Sequence, residues 1–217
     1  MSSEFKNEFF PHQEVRKGQD ELIEDIEKAF SEKKILLAHA PTGLGKTASA
    51  LAVAMKYALE HKKKVFFLTN RHTQHKIAID TLKLINEKSQ KEISCADLIG
   101  KRWMCNQKIA GLFGTEFNEF CKSVVEKGEC EFYNNVKQKK ELTVTAKKLL
   151  TDLRRKGPLH NEELIVICKD EKKCSYEIAL ALAKESNVLI GDYYYLFNPA
   201  ILMKFLKDNK NANIRGL

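Results

Sequence analysis

The stretch His39-Ala40-Pro41-Thr42-Gly43-Leu44-Gly45-Lys46-Thr47 decides how this chain is read. Ahead of it, Ile35-Leu36-Leu37-Ala38 is an apolar run short enough for a buried strand. Behind it, Ala48, Leu51, Ala54, Met55, Ala58 and Leu59 recur at helical spacing through a segment without Gly or Pro. Strand, glycine-containing loop and helix together are the context in which a phosphate-binding motif carries weight. Gly43 and Gly45 tolerate dihedrals that turn the backbone N–H groups from Thr42 to Lys46 toward phosphate oxygens. The first helical turn adds unsatisfied N–H groups and the positive end of the helix dipole. On this reading Lys46 reaches the β- and γ-phosphates of ATP as a point charge, and the Thr47 hydroxyl ligates Mg²⁺. The usual pattern opens with Gly, where Ala40 stands here. The bland alternative is a glycine turn before a helix that happens to carry Lys-Thr.

At 217 residues with 43% hydrophobic content the chain can bury a real core, as one domain or one domain with an insertion. No apolar run approaches a membrane span, and Met-Ser-Ser-Glu-Phe-Lys lacks a signal-peptide core, so a cytoplasmic protein with no membrane partner is expected. In that setting six cysteines raise metal or cluster ligation before disulfides. A net charge of +8 favours a polyanionic partner, although 29 acidic residues are mixed among the basic ones.

Taken in order, residues 9–19 lead into a helix with apolar positions Leu22, Ile23, Ile26, Ala29 and Phe30. Arg16 and Gln19 lie at its start. A Gln amide can donate to and accept from an adenine edge at once, which makes Gln19 a candidate base reader; a surface Gln is the plain alternative. Lys64-Val65-Phe66-Phe67-Leu68-Thr69 reads as the next strand, completing a βαβ unit and hence a parallel sheet covered by helices. The polar stretch from Asn70 to His75 then starts another helix. Arg71, Thr73 and Gln74 there offer charge, hydroxyl and amide to phosphodiester oxygens, or Thr73 merely caps the helix. Ile93 to Ile99 reads as a third short strand. From Gly100 the character changes, with Trp103, Phe113, Phe117, Phe120, Phe132 and Tyr133 among cysteines and basic helices. The strand pattern returns at Asn187 to Gly191, and Asn198-Pro199 opens a final helix with Ile201, Leu202, Phe205 and Leu206.

Four cysteines in the changed segment, Cys105, Cys121, Cys130 and Cys174, are separated by 15, 8 and 43 residues, with no close pair of the zinc-finger kind. Dispersed thiolates can enclose an iron–sulfur cubane, each iron taking one sulfur. Spacing does not choose iron over zinc. Cys95 and Cys168 read as ordinary buried thiols.

With these residues in place, the whole chain resembles the XPD-like iron–sulfur DNA helicases of superfamily 2 and the related DinG group. Arg16 and Gln19 resemble the adenine-reading motif, Ala40 to Thr47 the phosphate loop, and Leu68 to Gln74 the motif that touches the single-stranded DNA backbone. Trp103-Met104-Cys105, Cys121, Cys130-Glu131-Phe132-Tyr133 and Cys174-Ser175-Tyr176 resemble the four ligand segments of the cluster. Ser175 stands where the family commonly has Pro, which leaves Cys168 as a competitor for the fourth position.

The resemblance implies an α/β fold: a RecA-like P-loop parallel sheet with helices on both faces, interrupted by an inserted, mostly helical iron–sulfur domain. The expected division is residues 1–99 for the first part of the motor domain, 100–176 for the insertion and 177–217 for the return. The family's Asp-Glu-Ala-His string, expected after the strand ending near residue 190, occurs nowhere in the 217 residues, so the sheet is expected to be incomplete at the C-terminus. The implied function is an ATP-dependent 5′–3′ DNA helicase, represented by an N-terminal portion that is inactive alone. ATP, Mg²⁺ and a 4Fe-4S cluster are the implied cofactors, and single-stranded or forked DNA is the implied partner. A second motor domain is expected in cis, in a monomer, and Tyr176 would stack on passing bases. The readings from other classes are a non-catalytic nucleotide- and DNA-binding or redox-sensing module, and a zinc-stapled nucleotide-binding regulator.

Overall fold

The computed structural model of the chain describes residues 8–107, 109 and 111–199. The helix expected after Pro199 lies outside them. Helices α1 (Gln19–Ser31) and α2 (Lys46–Glu60) lead to β1 (Val65–Leu68), α3 (His72–Ser89) and β2 (Cys95–Asp97). The excursion that follows holds α4 (Gly114–Glu126), the one-turn α5 (Glu131–Asn134), a small hairpin of β3 (Lys137–Gln138) and β4 (Glu141–Leu142), α6 (Val144–Lys156) and α7 (Asn161–Asp170). The chain returns through α8 (Ser175–Glu185) to β5 (Val188–Gly191) and the one-turn α9 (Tyr194–Phe197).

The last strand takes the middle place: the order is β1-β5-β2, all parallel, with Val188 opposite both Val65 and Cys95. Alternation of side chains then sorts the sheet residues between two cores. Val65, Phe67, Cys95, Val188 and Ile190 face α1, α2 and α3, together with Phe9 and Phe10 of the lead-in loop. Phe66, Ala96 and Leu189 face the opposite layer, built from α6, α7 and α8. The expected parallel sheet with helices on both faces is therefore present, and part of the excursion shares a core with the sheet.

The expected strand Ile35-Leu36-Leu37-Ala38 does not form. Ile35 is 100% and Leu37 98% exposed. A strand persists only by hydrogen bonding to a neighbour, and among the described residues none pairs with this segment. Instead it faces the open edge of β1 across a groove of about 560 Å³, lined by Leu36 and Ala38 on one side and Val65, Phe66 and Phe67 on the other. The hairpin β3–β4 has no counterpart in the sequence reading, because two-residue strands carry no periodicity.

One buried carboxylate ties the layers. Asp97, at the end of β2, meets His75 Nδ1 of α3 at 2.5 Å and accepts from the backbone N–H and side-chain amide of Asn161, the first residue of α7, at 2.9 and 2.7 Å. The site is fully covered, and the Nε2 atoms of His75 and His160 have no hydrogen-bond partner among the described residues. Asp97→Ala strands these donors, so about 3 kcal/mol of stability should be lost, lowering the thermal midpoint by roughly 6–12 °C. Removing the exposed Arg154–Glu185 pair should change it by less than about 1 kcal/mol. Calorimetric melts of both variants check the contrast, and equal shifts would refute it.

Candidate functional site

The phosphate-loop sequence closes on itself around two residues from far upstream. Gly43 and Gly45 have φ of 88° and 91°, the left-handed region that glycine enters at little cost, and α2 begins immediately at Lys46. The first amides of such a helix have no intrahelical acceptor. Arg16 Nη1 donates to the carbonyl of Gly43 at 2.6 Å. Gln19, 1% exposed, donates from Nε2 to the carbonyl of Gly45 at 3.3 Å and accepts from the Arg16 N–H at 3.0 Å. Both residues thus clamp the loop, a role that the sequence reading, which cast them as adenine readers, did not anticipate. Lys46 is exposed, and its ammonium donates to the carbonyls of Ala40 and Pro41 at 2.8 and 2.9 Å, spanning the mouth of the loop. Thr42 is exposed beside it and Thr47 half-buried.

The second assembly gathers Cys105, Cys121, Cys130 and Cys174 in the wall of one small cavity, with Phe117, Phe120, Phe132, Tyr133 and Tyr176 filling the gaps. Burial raises the pKa of the Cys105 thiol, and the neighbouring Cys121 and Cys130 add to the rise. Burial likewise pushes Cys174 up to about 12, helped by Glu177, Cys130 and Cys105. Lys101 lies among them. Burial opposes its charge, but the hydrogen bond to Cys121 and the nearby Cys121, Glu177 and Cys174 outweigh that, and its pKa stands above the ordinary lysine value.

Ligands of one zinc ion sit about 2.3 Å from it and hence less than about 4 Å from one another. Among the described residues, no three His, Cys, Asp or Glu side chains are grouped to hold a single metal ion.

Asn106 and Gln107, which went unnoticed in the sequence, and Ser175, which was singled out there only as standing in place of Pro, hold the cavity together. Asn106 Nδ2 donates to the Ser175 hydroxyl at 2.7 Å and to the Lys173 carbonyl at 3.2 Å, joining the Cys105 segment to the Cys174 segment. Gln107 Nε2 donates to Cys130 Sγ at 3.3 Å. The signal available was their position directly after Cys105 and Cys174. Cys168 points elsewhere, buried in the core of α6, α7 and α8, and Cys95 lies in the sheet.

The third group sits at the carboxyl edge of the sheet. Arg71 and Thr73 are exposed. Arg71, not Thr73, is the N-cap of α3, and Thr73 lies inside the first turn. Buried Thr69 organises the turn: its hydroxyl accepts from the Arg71 N–H at 3.2 Å and donates to Gln74 Oε1 at 2.6 Å. Tyr176 is half-buried rather than an open face. It is hydrogen-bonded to Tyr195, and the Lys101 ammonium lies 5.7 Å from its ring centre.

Fold and site together define an α/β protein with a glycine loop at a helix N-terminus and a four-cysteine cavity. The chain belongs to the DEAD_2 family, which it matches over residues 67–214. It is similar to the general transcription and DNA repair factor IIH helicase subunit XPD/RAD3 of Saccharomyces cerevisiae, with 22% identity covering 88% of this chain and 27% of the yeast protein. It is also similar to the "Probable ATP-dependent helicase" of Methanocaldococcus jannaschii, with 32% identity covering 48% of this chain and 16% of that one. The chain thus spans about a quarter or less of the length of these relatives. Among the described residues no helix is long and apolar enough to cross a membrane.

A Cβ on Gly45 would fall 2.4 Å from Gln19 Nε2, whereas one on Gly43 would meet nothing within 4 Å. Gly43→Ala should therefore cost only the ~1–2 kcal/mol of a left-handed alanine, and Gly45→Ala distinctly more, because the buried amide must leave the loop. Denaturant unfolding of both variants checks this, and equal losses would show that the Gln19 clamp carries no weight.

Proposed function

We propose that this chain is the N-terminal part of an ATP-dependent DNA helicase motor that works 5′ to 3′ on single-stranded or forked DNA. Residues 1–99 and 177–217 belong to the first RecA-like motor domain, and residues 100–176 form an inserted iron–sulfur domain. The observation that carries the reading is the pairing, in one DEAD_2 chain, of a clamped glycine loop with four cysteines around one cavity. In this reading the β- and γ-phosphates of ATP would take the place of the Ala40 and Pro41 carbonyls as partners of Lys46, Thr47 would offer its hydroxyl to Mg²⁺, and Arg16 and Gln19, which brace the loop, would border the adenine. Arg71, Thr73 and Gln74 meet the DNA backbone, and Tyr176 lines the path beside the cluster domain.

Four cysteines in the wall of one cavity suit a cluster in which each thiolate would take a different iron. Cys105, Cys121, Cys130 and Cys174 would hold it, and when bound it supplies positive charge that makes the buried thiolates tolerable and closes the loops between them. The groove between residues 35–38 and β1 is the berth for further strands of the motor sheet, which would bring the carboxylates that orient the attacking water. The whole enzyme is a monomer in which a second motor domain, in cis, completes the ATP site, and it acts in the cytoplasm.

Three measurements test this. Lys46→Ala should abolish binding of a fluorescent ATP analogue while leaving the melt unchanged, because Lys46 faces solvent; retained affinity would sink the phosphate-loop reading. Anaerobically prepared protein should be brown and carry iron in excess of zinc, and Cys105→Ser should lose the colour and melt earlier. A colourless protein with one equivalent of zinc would favour the zinc-stapled regulator. Residues 1–217 alone should hydrolyse essentially no ATP with or without DNA, and DNA-stimulated turnover would contradict the proposed division of the motor.

A further inference from the structure

Most aromatic side chains of the excursion go into the cysteine cavity, but two do not. Trp103 and Phe113 are 61% and 60% exposed. Leaving large rings in water forgoes roughly 1.5–3 kcal/mol each relative to burial, so a pair of them held in place calls for a reason. They are held by Arg102, whose guanidinium carbon lies 4.7 Å from the Trp103 ring centre and 4.1 Å from that of Phe113. Its Nε–H is fixed by the carbonyl of Leu112 at 2.5 Å. A turn closed by the Trp103 N–H on the Gly100 carbonyl at 2.9 Å lays the indole against Gly100, where a Cβ would stand 3.3 Å from the ring. The next residues, Met104 and Cys105, are anchored in the core and in the cavity wall.

Its position matters as much as its composition. The loop that carries it leaves β2, and the loop that carries Arg71 and Thr73 leaves β1, with β5 alone between them. Strands at about 4.8 Å spacing put the two exits roughly 10 Å apart on the same edge of the sheet. A cation stacked between two open rings, on a loop leaving the same edge of the sheet as one suited to phosphates, offers what an unpaired base requires: a π-face to lie on and a positive charge for its backbone. In a duplex those faces are already stacked.

We propose that Trp103, Arg102 and Phe113 form a base-stacking subsite for single-stranded DNA. This refinement rests on the DNA-binding reading above. Stacking at this platform, rather than at half-buried Tyr176, holds the strand next to the cysteine cavity, and the Arg71 loop holds its backbone.

Trp103 is the chain's single tryptophan, so its emission reports the subsite directly. The test titrates the 217-residue chain with single-stranded oligothymidylate, with an abasic deoxyribose phosphate strand of equal length, and with a duplex. Oligothymidylate should quench Trp103, and the abasic strand and the duplex should not. By anisotropy of a labelled oligothymidylate, Trp103→Ala and Phe113→Ala should each weaken binding about tenfold, Trp103→Phe should restore it, and Arg71→Ala should weaken both single strands alike. Equal quenching by the abasic strand or the duplex overturns the proposal. So does strand binding that depends on Arg71 but leaves Trp103 emission unchanged, which would spare the DNA-binding reading. Failure to bind any strand removes both.

Discussion

Strand β5 reaches its place between β1 and β2 only after ninety residues of excursion, and the other parts of the molecule are positioned by that pairing. The Val188 N–H donates to the Ser94 carbonyl, the Val65 N–H to that of Asn187 and the Thr69 N–H to that of Gly191, so one strand satisfies two neighbours that never touch. All four of its residues are buried, and Val188, Leu189 and Ile190 alternate between the two cores. Because the strands are parallel, their carboxyl ends share one edge, and the loops leaving them lie side by side there. Arg71, Trp103 and Tyr193 all lie on segments that leave the sheet at that edge.

How much of this was legible follows from where the signal is local. The helix after the phosphate loop, the strand of Val65 to Leu68 and the return at Val188 carry their own periodicity and were readable. The strand at residues 35–38 failed for the complementary reason: composition says that Ile35 and Leu37 would fit a sheet interior, but a strand is a property of a pair, and a single segment cannot announce its partner. The loop clamp was legible in its members and not in its geometry. Arg16 and Gln19 lie 27 and 26 residues from the carbonyls they bind, a separation over which no local pattern extends.

The cysteine cavity shows the same division. That Cys105, Cys121, Cys130 and Cys174 belong together was an inference from resemblance, and their convergence is a matter of packing. The stitches that bring it about are polar: Asn106 to Ser175, and the Cys174 N–H to the Phe132 carbonyl at 2.9 Å. Ser175 is also what distinguishes Cys168 from Cys174. Its buried hydroxyl bonds Asn106 on one side and Cys168 on the other, so Cys168 is held away from the cavity, where burial keeps its thiol pushed up to about 12. At the position where proline would merely start α8, serine adds a bond between two segments of the cavity.

Asp97 makes the last connection. A buried carboxylate is costly unless its lone pairs are met, and the three donors that meet it come from two layers on opposite faces of the sheet. His75 lies one turn into α3, whose first turn carries Thr73 and Gln74, and Asn161 opens α7, which packs on α8, the helix that follows the last cavity cysteine. Asp97 itself precedes the loop to Arg102, Trp103 and Cys105 by only a few residues. A shift of the α3 turn must therefore either carry β2 and α7 with it or break a buried hydrogen bond to a carboxylate, and the second costs more than a surface loop can supply. The start of α3, the end of β2 and the start of α7 are in this way fixed to one carboxylate.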